Sequence, residues 1–411
     1  MAMPFIAHVN TTVYTGGAAR TVALLADVLN RSHRAKCDVI IGRGRSDELR
    51  SVQSLDPGRI ATILNVFAFR LLGSEAPLSR SRWELYLPEL QKYDLIHLHN
   101  AHGYYLPMGA LERILERPCV WTLHDYWLGT GRECYPPRSS TSKASWVSRM
   151  APFYGRGYPV EFVDRSAWRG ARLRALVGRH RPALIVPTAD MLRRLGELGL
   201  EGLDVTVIPH GIFPDSQPEP AWDRDAARHA LGIPADDFMV LFAAAQVDHP
   251  IKGFRCLAEA IRPIRENSFS LHVAGGRDQA SRRLVGNGVT FHGQTDAGRM
   301  EMLMAACDLY VSPSYDETFG LTVVEALGQG ARVLCSDLPV LREVSQGAAS
   351  YFPVGDSRAL AVLLQESIAE GCEQPSTRLQ RARMIRRYYR FGSWASAHLH
   401  LYHRVICRGE V

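Results

Sequence analysis

Two glutamates separated by seven residues form the most specific chemical pattern in the chain. Glu317 ends a predicted strand-to-helix loop, and Glu325 lies about one turn into the helix that follows. Between them, Phe319, Gly320 and Leu321 would present backbone N–H groups at the helix start, where the helix dipole favours a phosphate. A loop carboxylate can accept hydrogen bonds from sugar hydroxyls, and a helix carboxylate among apolar neighbours can hold a ribose diol. The pattern therefore predicts a site for a phosphorylated sugar or nucleotide.

A lysine and a pair of glycines supply further candidate anion-binding groups. Lys252 precedes Gly253 between a predicted strand and a helix, where its ammonium group could neutralise a diphosphate. A solvated surface lysine is the alternative. Gly16 and Gly17 follow the first strand and open a helix, which allows a close approach of backbone to a ligand. Because the G-x-G-x-x-G fingerprint is absent, a simple tight turn is the alternative there.

Histidines cluster where two predicted strands end, at His97, His99, His102 and His124. Strand alternation sends His97 and His99 to the same face of the sheet. Imidazoles in such a place suit a zinc site, a polar cleft that binds sugar or phosphate, or a satisfied position in the core. No H-E-x-x-H spacing supports zinc. His124 lies in a polar turn, where a strand should open into a cleft.

Short apolar runs alternate with amphipathic ones along the chain, which predicts parallel sheets covered by helices on both faces. The first series of strands is predicted at Phe5–Val9, Asp38–Ile41, Asp94–Leu98, Cys119–Leu123, Ala183–Val186 and Val205–Ile208. The second series is predicted at Phe238–Ala244, Ser270–Ala274, Val289–Phe291, Leu309–Ser312, Val333–Cys335 and Ser350–Phe352. We therefore predict an α/β protein with two Rossmann-like, doubly wound domains that face each other across a cleft.

The predicted domains are 1–209 and 223–390, joined by a linker at 210–222 that contains three prolines. A C-terminal helix in 391–411 is not required by the second sheet, and we expect it to return to the first domain. Residues 135–181 show weak periodicity and are interpreted as a basic insertion.

Composition narrows the class of protein. The chain has 411 residues and is 46% hydrophobic and 22% charged, which fits about two globular domains. Its eight cysteines contain no C-x-x-C pair, and Met1–Asn10 lacks the pattern of a secretory signal. No apolar run is long enough to span a bilayer. We therefore expect a cytoplasmic protein with reduced thiols.

The net charge of +6 is unevenly distributed, because residues 138–181 contain ten bases and two acids. Such a segment favours an anionic surface, and peripheral contact with the inner face of the plasma membrane is one interpretation. A solvated arginine-rich insertion is the alternative. No nucleic-acid-binding module is recognisable, and we expect no nucleic-acid partner.

Taken together, these motifs resemble the retaining glycosyltransferases of family 4, which have the GT-B fold. The resemblance runs the length of the chain through Gly16 and Gly17, His124, Pro209-His210-Gly211, Lys252-Gly253, Ala274-Gly275-Gly276 and the pair Glu317 and Glu325. The segment Thr122–Trp127, with Thr130-Gly131 and Cys134, is most similar to enzymes of bacterial exopolysaccharide assembly of the colanic-acid type.

The resemblance implies a role for each motif. Lys252 and the N–H groups of residues 319–321 would bind the donor diphosphate, Glu325 the ribose and Glu317 the hydroxyls of the donor sugar. His124 would meet that sugar from the first domain, and Gly17 would lie against the diphosphate. The implied donor is a UDP- or GDP-sugar, and the implied acceptor includes a lipid-linked saccharide. No D-x-D motif ends a predicted strand, so we expect no metal and no other cofactor.

The chain departs from the family at one position that bears on catalysis. The usual arginine six residues before the lysine is Gln246, which halves the positive charge offered to the leaving diphosphate unless His249 or another arginine compensates. A second departure, Arg332 in place of a proline, is interpreted as structural. Two other functions remain open: a sugar-nucleotide epimerase, which would make product without an acceptor, and a non-catalytic scaffold of a membrane glycan assembly.

Overall fold

The computed structural model describes residues 3–13, 16–44, 52–73, 75–136, 164–264, 269–276, 278–285 and 288–408. The contacts divide these residues into two compact units. Unit 1 contains residues 3–136, 164–211 and 391–408, and unit 2 contains residues 212–390. Most of the predicted basic insertion, residues 137–163, lies outside the described residues.

Unit 1 is built on a seven-stranded parallel sheet with the strand order β3-β2-β1-β4-β5-β6-β7. Its strands are β1 (Phe5–Asn10), β2 (Lys36–Ile41), β3 (Val52–Ser54), β4 (Leu95–Leu98), β5 (Cys119–Thr122), β6 (Ala183–Val186) and β7 (Val205–Val207). The strands are apolar on both faces because helices cover both sides of the sheet.

The helices of unit 1 are α1 (Gly17–Arg31), α2 (Arg59–Leu72), α3 (Arg80–Tyr86), α4 (Met108–Leu115), α5 (Trp127–Thr130), α6 (Ser166–His180), α7 (Ala189–Glu197) and the C-terminal α16 (Phe391–Arg408), with 3₁₀ turns at Pro77–Ser79 and Leu87–Lys92. Helix α16 packs on the sheet through Trp394, Leu399 and Tyr402, which share a core cluster with Ile6 and Val120.

Unit 2 contains a six-stranded parallel sheet in the order β10-β9-β8-β11-β12-β13. Its strands are β8 (Met239–Gln246), β9 (Ser270–Gly276), β10 (Val289–Gly293), β11 (Leu309–Ser312), β12 (Arg332–Ser336) and β13 (Ser350–Phe352). Its helices are α8 (Arg224–Leu231), α9 (Phe254–Ile261), α10 (Gln279–Val285), α11 (Ala297–Ala306), α12 (Leu321–Gly328), α13 (Pro339–Ser345), α14 (Ser357–Glu370) and α15 (Pro375–Tyr388), with 3₁₀ turns at Pro250–Lys252 and Arg262–Ile264.

The predicted fold class is confirmed, since each unit is a parallel sheet with helices on both faces. Two segments differ from the sequence interpretation. Residues 166–180 form a helix whose Leu173, Leu176 and Val177 enter the core, although their pattern appears weak. Phe213, in the predicted linker, is buried in unit 2, because its ring packs on Gly328 and its N–H donates to the carbonyl of Tyr389.

Candidate active site

In unit 2, Lys252 and Glu317 form an ion pair although they are 65 positions apart in the chain. The Lys252 Nζ atom lies 2.7 Å from Glu317 Oε1, and the Ser314 hydroxyl donates to the same oxygen at 2.8 Å. The side chain of Glu317 is 9% exposed and that of Lys252 is 28% exposed, so the charges lie at the edge of the protein interior. This arrangement holds an ammonium group and a carboxylate side by side in a site that a ligand can reach.

The ion pair forms because a glycine lets two loops meet. Gly253 has a φ of 71°, and a Cβ there would lie 1.9 Å from the carbonyl oxygen of Pro313. Only glycine tolerates both the left-handed backbone and that approach. The N–H of Tyr315 then donates to the carbonyl of Ile251 at 2.7 Å. The turn that carries Lys252 is thereby fixed against the loop that carries Glu317.

The helix after this loop begins without a side-chain cap. Gly320, the N-cap residue of α12, has a φ of 87° and no side chain that could cap the helix. The leading N–H groups of α12 are therefore suited to an anion. Burial raises the pKa of Tyr310, and the charges of Glu317 and Glu325 add to the increase. The structure thus brings Lys252 to Glu317 in the loop before α12, and Glu325 lies in the second turn of that helix.

Gln246 lies at the exposed C-terminal end of β8, six residues before Lys252. His249, between them, accepts a hydrogen bond from the N–H of Ile251. Burial, followed by the charge of Lys252, lowers the pKa of His249 to about 4. Burial and the charge of Lys252 therefore oppose a positive charge on His249 in the place of the missing arginine.

Unit 1 contains a column of buried histidines. Strand β1 directs Ile6 and His8 to the face covered by α16, and His8 pairs in register with His97 on β4. Alternation puts His99 on the same face, as the sequence predicts, with its ring centroid 4.1 Å from that of His97. His124, which follows β5, completes the column, and its ring stacks on that of His210 at 5.6 Å.

Hydrogen bonds connect the column to His124. His8 Nδ1 lies 3.1 Å from His99 Nε2, and His99 Nδ1 lies 3.1 Å from His124 Nε2. His97 instead contacts the hydroxyl groups of Tyr402 at 2.6 Å and Thr122 at 2.7 Å. Sequence analysis missed His8, although its place in an apolar strand, two residues before Asn10, is a usable signal.

The protonation state of the column follows from burial. Burial lowers the pKa of His124 to about 4 and that of His8 to about 3, and it also lowers the pKa values of His97 and His99. Each ring is therefore neutral near pH 7 and carries one proton. Among the described residues, His8 Nε2 is buried and has no hydrogen-bond partner.

A buried lone pair is tolerated better than a buried unpaired N–H, so we assign the proton of His8 to Nδ1. His8 then donates to His99 and His99 donates to His124, since each neutral ring has one donor and one acceptor nitrogen. This leaves the proton of His124 on Nδ1. His124 is 9% exposed and in this tautomer offers an N–H donor.

Next to the column, His102 Nε2 lies 2.7 Å from Asp125 Oδ2. Burial alone would lower the pKa of His102, but the nearby Asp125 carboxylate raises it above its usual value. Two groups among the described residues are close enough to hold a metal ion: His8, His97 and His99, and His102, Asp125 and Cys134. In the first group the nitrogens of His97 and His99 already form the hydrogen bonds given above, so a metal would have to break them.

Gly16 and Gly17 also lie where an anion could approach. Gly16 has a φ of 91° and precedes α1, which starts at Gly17 without a side-chain cap. The positive φ requires glycine at position 16, although a Cβ there would meet no atom within 4 Å. Among the described residues, this helix start is therefore a candidate site for an anion.

In the described part of the basic segment, residues 164–181, most arginines bind backbone carbonyls or carboxylates of unit 1. Arg169 and Arg174 donate to the carbonyls of Gly131 and Gly129, at 2.7 Å and 2.8 Å. Arg179 pairs with Glu112. Part of the positive charge counted in 138–181 therefore supports the fold.

Solved structures identify the class of fold. Sucrose-phosphate synthase from Thermosynechococcus elongatus is 20% identical with a TM-score of 0.73, over 98% of this chain and 100% of that one. Anabaena Alr3699/HepE, in complex with UDP-glucose, is 18% identical with a TM-score of 0.67, over 96% of this chain and 98% of that one. The fold is therefore the two-domain GT-B fold of glycosyltransferases.

Sequence comparisons identify the family. A family model described as glycosyl transferases group 1 matches residues 237–370, and one described as glycosyltransferase family 4 matches residues 15–216. The chain belongs to the family 4, group 1 glycosyltransferases.

One curated relative, phosphatidyl-myo-inositol mannosyltransferase of Mycobacterium leprae, is 29% identical over 300 residues, which are 68% of this chain and 68% of the relative. The chain spans 57% and 61% of the length of two further mycobacterial relatives. In the described part of the chain, no helix has the length and apolar character needed to cross a bilayer.

Proposed function

We propose that the protein transfers a sugar from a nucleotide-diphosphate sugar to an acceptor hydroxyl, with retention of the anomeric configuration. The donor is a UDP- or GDP-sugar, and the acceptor is a membrane lipid or a lipid-linked saccharide of a bacterial polysaccharide or glycoconjugate pathway. The observation that carries this proposal is the ion pair of Lys252 and Glu317 beside the uncapped start of α12.

This arrangement offers matching groups to both the nucleotide diphosphate and the sugar of the proposed donor. The ammonium group of Lys252 and the N–H groups at the start of α12 match a diphosphate, while Glu317 matches sugar hydroxyls and Glu325 a ribose diol. Similar proteins support the assignment, since the M. leprae relative is a phosphatidyl-myo-inositol mannosyltransferase and the HepE structure is a complex with UDP-glucose.

In the proposed step, the bond from the anomeric carbon to the diphosphate oxygen breaks, and a bond from the same carbon to the acceptor oxygen forms on the same face. The acceptor proton passes to the departing phosphate oxygen. Lys252 and the start of α12 stabilise the negative charge that develops there, which is the largest electrostatic contribution we expect. The positive charge comes from Lys252, so we propose that no metal is needed.

The proposed contribution of unit 1 is to position the donor. His124, neutral and protonated on Nδ1, donates a hydrogen bond to an oxygen of the donor sugar. Gly17, at the start of α1, lets backbone N–H groups approach the diphosphate. Neither group exchanges a proton with the reacting atoms, so the pH dependence of the chemical step does not report on His124.

Nucleotide binding tests the donor assignment. We expect one of UDP, GDP, ADP or dTDP to raise the melting temperature by several degrees at ~100 times its dissociation constant, equivalent to about 2.7 kcal/mol. Lys252→Met should weaken this binding, whereas Arg255→Met should not, because Arg255 is an exposed cation three residues away on α9. Equal binding by the two variants would refute the role of Lys252.

Product analysis separates the functions. Incubation with the preferred nucleotide sugar and a lipid acceptor should yield a glycoside whose anomeric configuration, read by NMR, matches that of the donor. Loss of Lys252 should lower kcat by about 10² to 10³. Nucleotide release with an isomerised sugar and no acceptor would establish the epimerase. Absence of both binding and turnover would establish the scaffold.

A further inference from the structure

Three side chains with different donor atoms meet at the C-terminal edge of the sheet of unit 1. His102 lies in the loop after β4, Asp125 in the loop after β5, and Cys134 beyond α5. His102 Nε2 lies 2.7 Å from Asp125 Oδ2, and one ligand atom of each residue lies within 4.8 Å of those of the other two. Zinc binds such ligands at about 2.0 to 2.3 Å, so tetrahedral neighbours are roughly 3.3 to 3.8 Å apart. Small side-chain movements would therefore bring all three atoms onto one zinc ion.

Contacts outside the group orient the first two ligands. The N–H of Trp127 donates to Asp125 Oδ1 at 2.9 Å, which leaves Oδ2 directed to His102. The hydroxyl of Thr11 donates to the carbonyl of His102 at 2.7 Å, and the ring centroid of His102 lies 5.5 Å from that of Trp127. Metal ligands that are held by such outer contacts lose little freedom when the ion binds.

The third ligand is held by a closed turn. The N–H of Tyr126 donates to the carbonyl of Cys134 at 3.2 Å, and the hydroxyl of Thr130 donates to the carbonyl of Glu133 at 2.8 Å. Together with the bond from Arg169 to the carbonyl of Gly131, these contacts return the chain from α5 to the loop after β5. The thiol of Cys134 is thereby fixed beside Asp125.

Access and charge both suit a cation. The side chains of His102 and Asp125 are 12% and 14% exposed, and Cys134 is partly exposed, so an ion can enter from solvent. Burial alone would lower the pKa of His102, but the charges of Asp125 and of the buried Glu75 raise it, so the potential at this ring favours positive charge. The guanidinium group of Arg132, two positions before Cys134, is paired with two carboxylates, at 3.1 Å and 3.0 Å.

We propose that His102 Nε2, Asp125 Oδ2 and Cys134 Sγ bind a zinc ion, with water as the fourth ligand. Imidazole, thiolate and carboxylate together suit Zn²⁺, whereas Mg²⁺ and Ca²⁺ prefer oxygen ligands alone. On binding, the thiol releases its proton to solvent and His102 keeps one proton on Nδ1. The ion joins the loop after β4 to the segment after β5 and stabilises unit 1. It takes no part in the proposed sugar transfer and does not depend on the donor site.

Titration of the chelator-treated full chain with Zn²⁺ tests the proposal. We expect calorimetry to show one ion per chain, and ~100 times the dissociation constant of Zn²⁺ to raise the melting temperature by several degrees. Mg²⁺ at the same concentration should not change it. Co²⁺ used in place of Zn²⁺ should produce a thiolate-to-metal charge-transfer band, which reports directly on a sulfur ligand.

The variant Cys134→Ala should weaken Zn²⁺ binding by at least about 100-fold and abolish the charge-transfer band, because the thiolate is lost. It leaves the contact of His102 with Asp125 in place, and its melting temperature without metal checks its fold. The matched control is Cys372→Ala, which removes an exposed thiol of unit 2 and should bind as the unaltered chain does. His102→Gln provides a second test, and should also weaken binding, if Cys134→Ala is unfolded.

Three outcomes would overturn the proposal. Failure of the unaltered chain to bind Zn²⁺ would remove the site. Equal binding by the unaltered chain, Cys134→Ala and His102→Gln would place the ion elsewhere, and loss of binding in Cys372→Ala would assign it to exposed thiols. Nucleotide-induced melting shifts, measured in parallel without metal, report on the donor site separately.

Discussion

Mild acid should unfold unit 1 before unit 2, because unit 1 buries six neutral histidines. Burial lowers the pKa values of His8, His97, His99, His124, His210 and His398 below the ordinary value of 6.5. The unfolded chain therefore binds protons in a range where the folded unit does not. The resulting stability is fully present above a pH of about 6.5 and is lost as the pH falls below it.

The size of the loss follows from this count. Between a pH of about 7.5 and about 5.5, one histidine that protonates only in the unfolded chain costs about 1.4 kcal/mol of the free energy of unfolding. Six such groups cost about 8 kcal/mol together. The pKa of His102 is raised instead, because of Asp125, so its protonation favours the folded unit in acid and offsets part of this loss. A net loss of several kcal/mol is comparable with the whole stability of a typical domain.

Urea unfolding followed by tryptophan fluorescence measures this loss, since Trp83, Trp121, Trp127 and Trp394 are buried in unit 1. We expect the midpoint for unit 1 to fall steeply between these two pH values. His398→Phe should flatten the pH dependence by about one proton. The exposed His400, on the same helix, provides the control His400→Phe, which should not change the pH dependence. A midpoint that is constant over this range would refute neutral burial of the column.

Three further predictions concern single groups. Replacing His99 by Phe should move His124 to a mixture of tautomers, which the ¹⁵N chemical shifts of its ring would show. The same variant should raise KM for the donor more than it lowers kcat. Unchanged ¹⁵N shifts would contradict the assigned proton order. Asp308→Asn should destabilise unit 2 by about 3–5 kcal/mol in urea unfolding, because Asp308 pairs with the buried Arg228 at 2.5 Å; a loss under 1 kcal/mol would show that the ion pair contributes little. EDTA should leave transfer activity unchanged, and a loss that Mg²⁺ restores would show that Lys252 does not supply the charge alone.

The sequence pattern was sufficient for the fold. Every strand predicted from short apolar runs exists, with ends that differ by at most two residues, because buried parallel strands must be apolar on both faces. The strand missed, Val52–Ser54, is three residues long with one buried side chain, so it has no such run. Helix α2 was also not predicted, and most of its large apolar side chains face outward, so a search for core-facing stripes does not select it.

For the candidate site, the sequence suggests residue types but not the contacts between them. Glu317, Gly320 and Glu325 follow from spacing along one loop and helix, which local geometry fixes. The contact of Lys252 with Glu317 depends on how closely Gly253 passes Pro313, and tertiary packing alone determines that distance. The same holds for the histidine column, because α16, about 300 residues away in the chain from β4, supplies the Tyr402 hydroxyl to His97.

The Lys252–Glu317 ion pair has a consequence for how a donor would bind. Without ligand, the lysine is held by a carboxylate that is almost buried, so a nucleotide alone that attracts the lysine leaves Glu317 with fewer partners in a site where desolvation is costly. In the proposed binding mode, a nucleotide sugar would replace both partners at once, since its diphosphate would bind the lysine while its hydroxyls would donate to Glu317. The sugar would therefore add more binding free energy than its own hydrogen bonds supply. The additional part is the free energy gained when Glu317 regains hydrogen-bond partners. With Gln246 and a neutral His249 beside Lys252, this exchange offers the site a way to prefer the intact donor over the released nucleotide without a second cation.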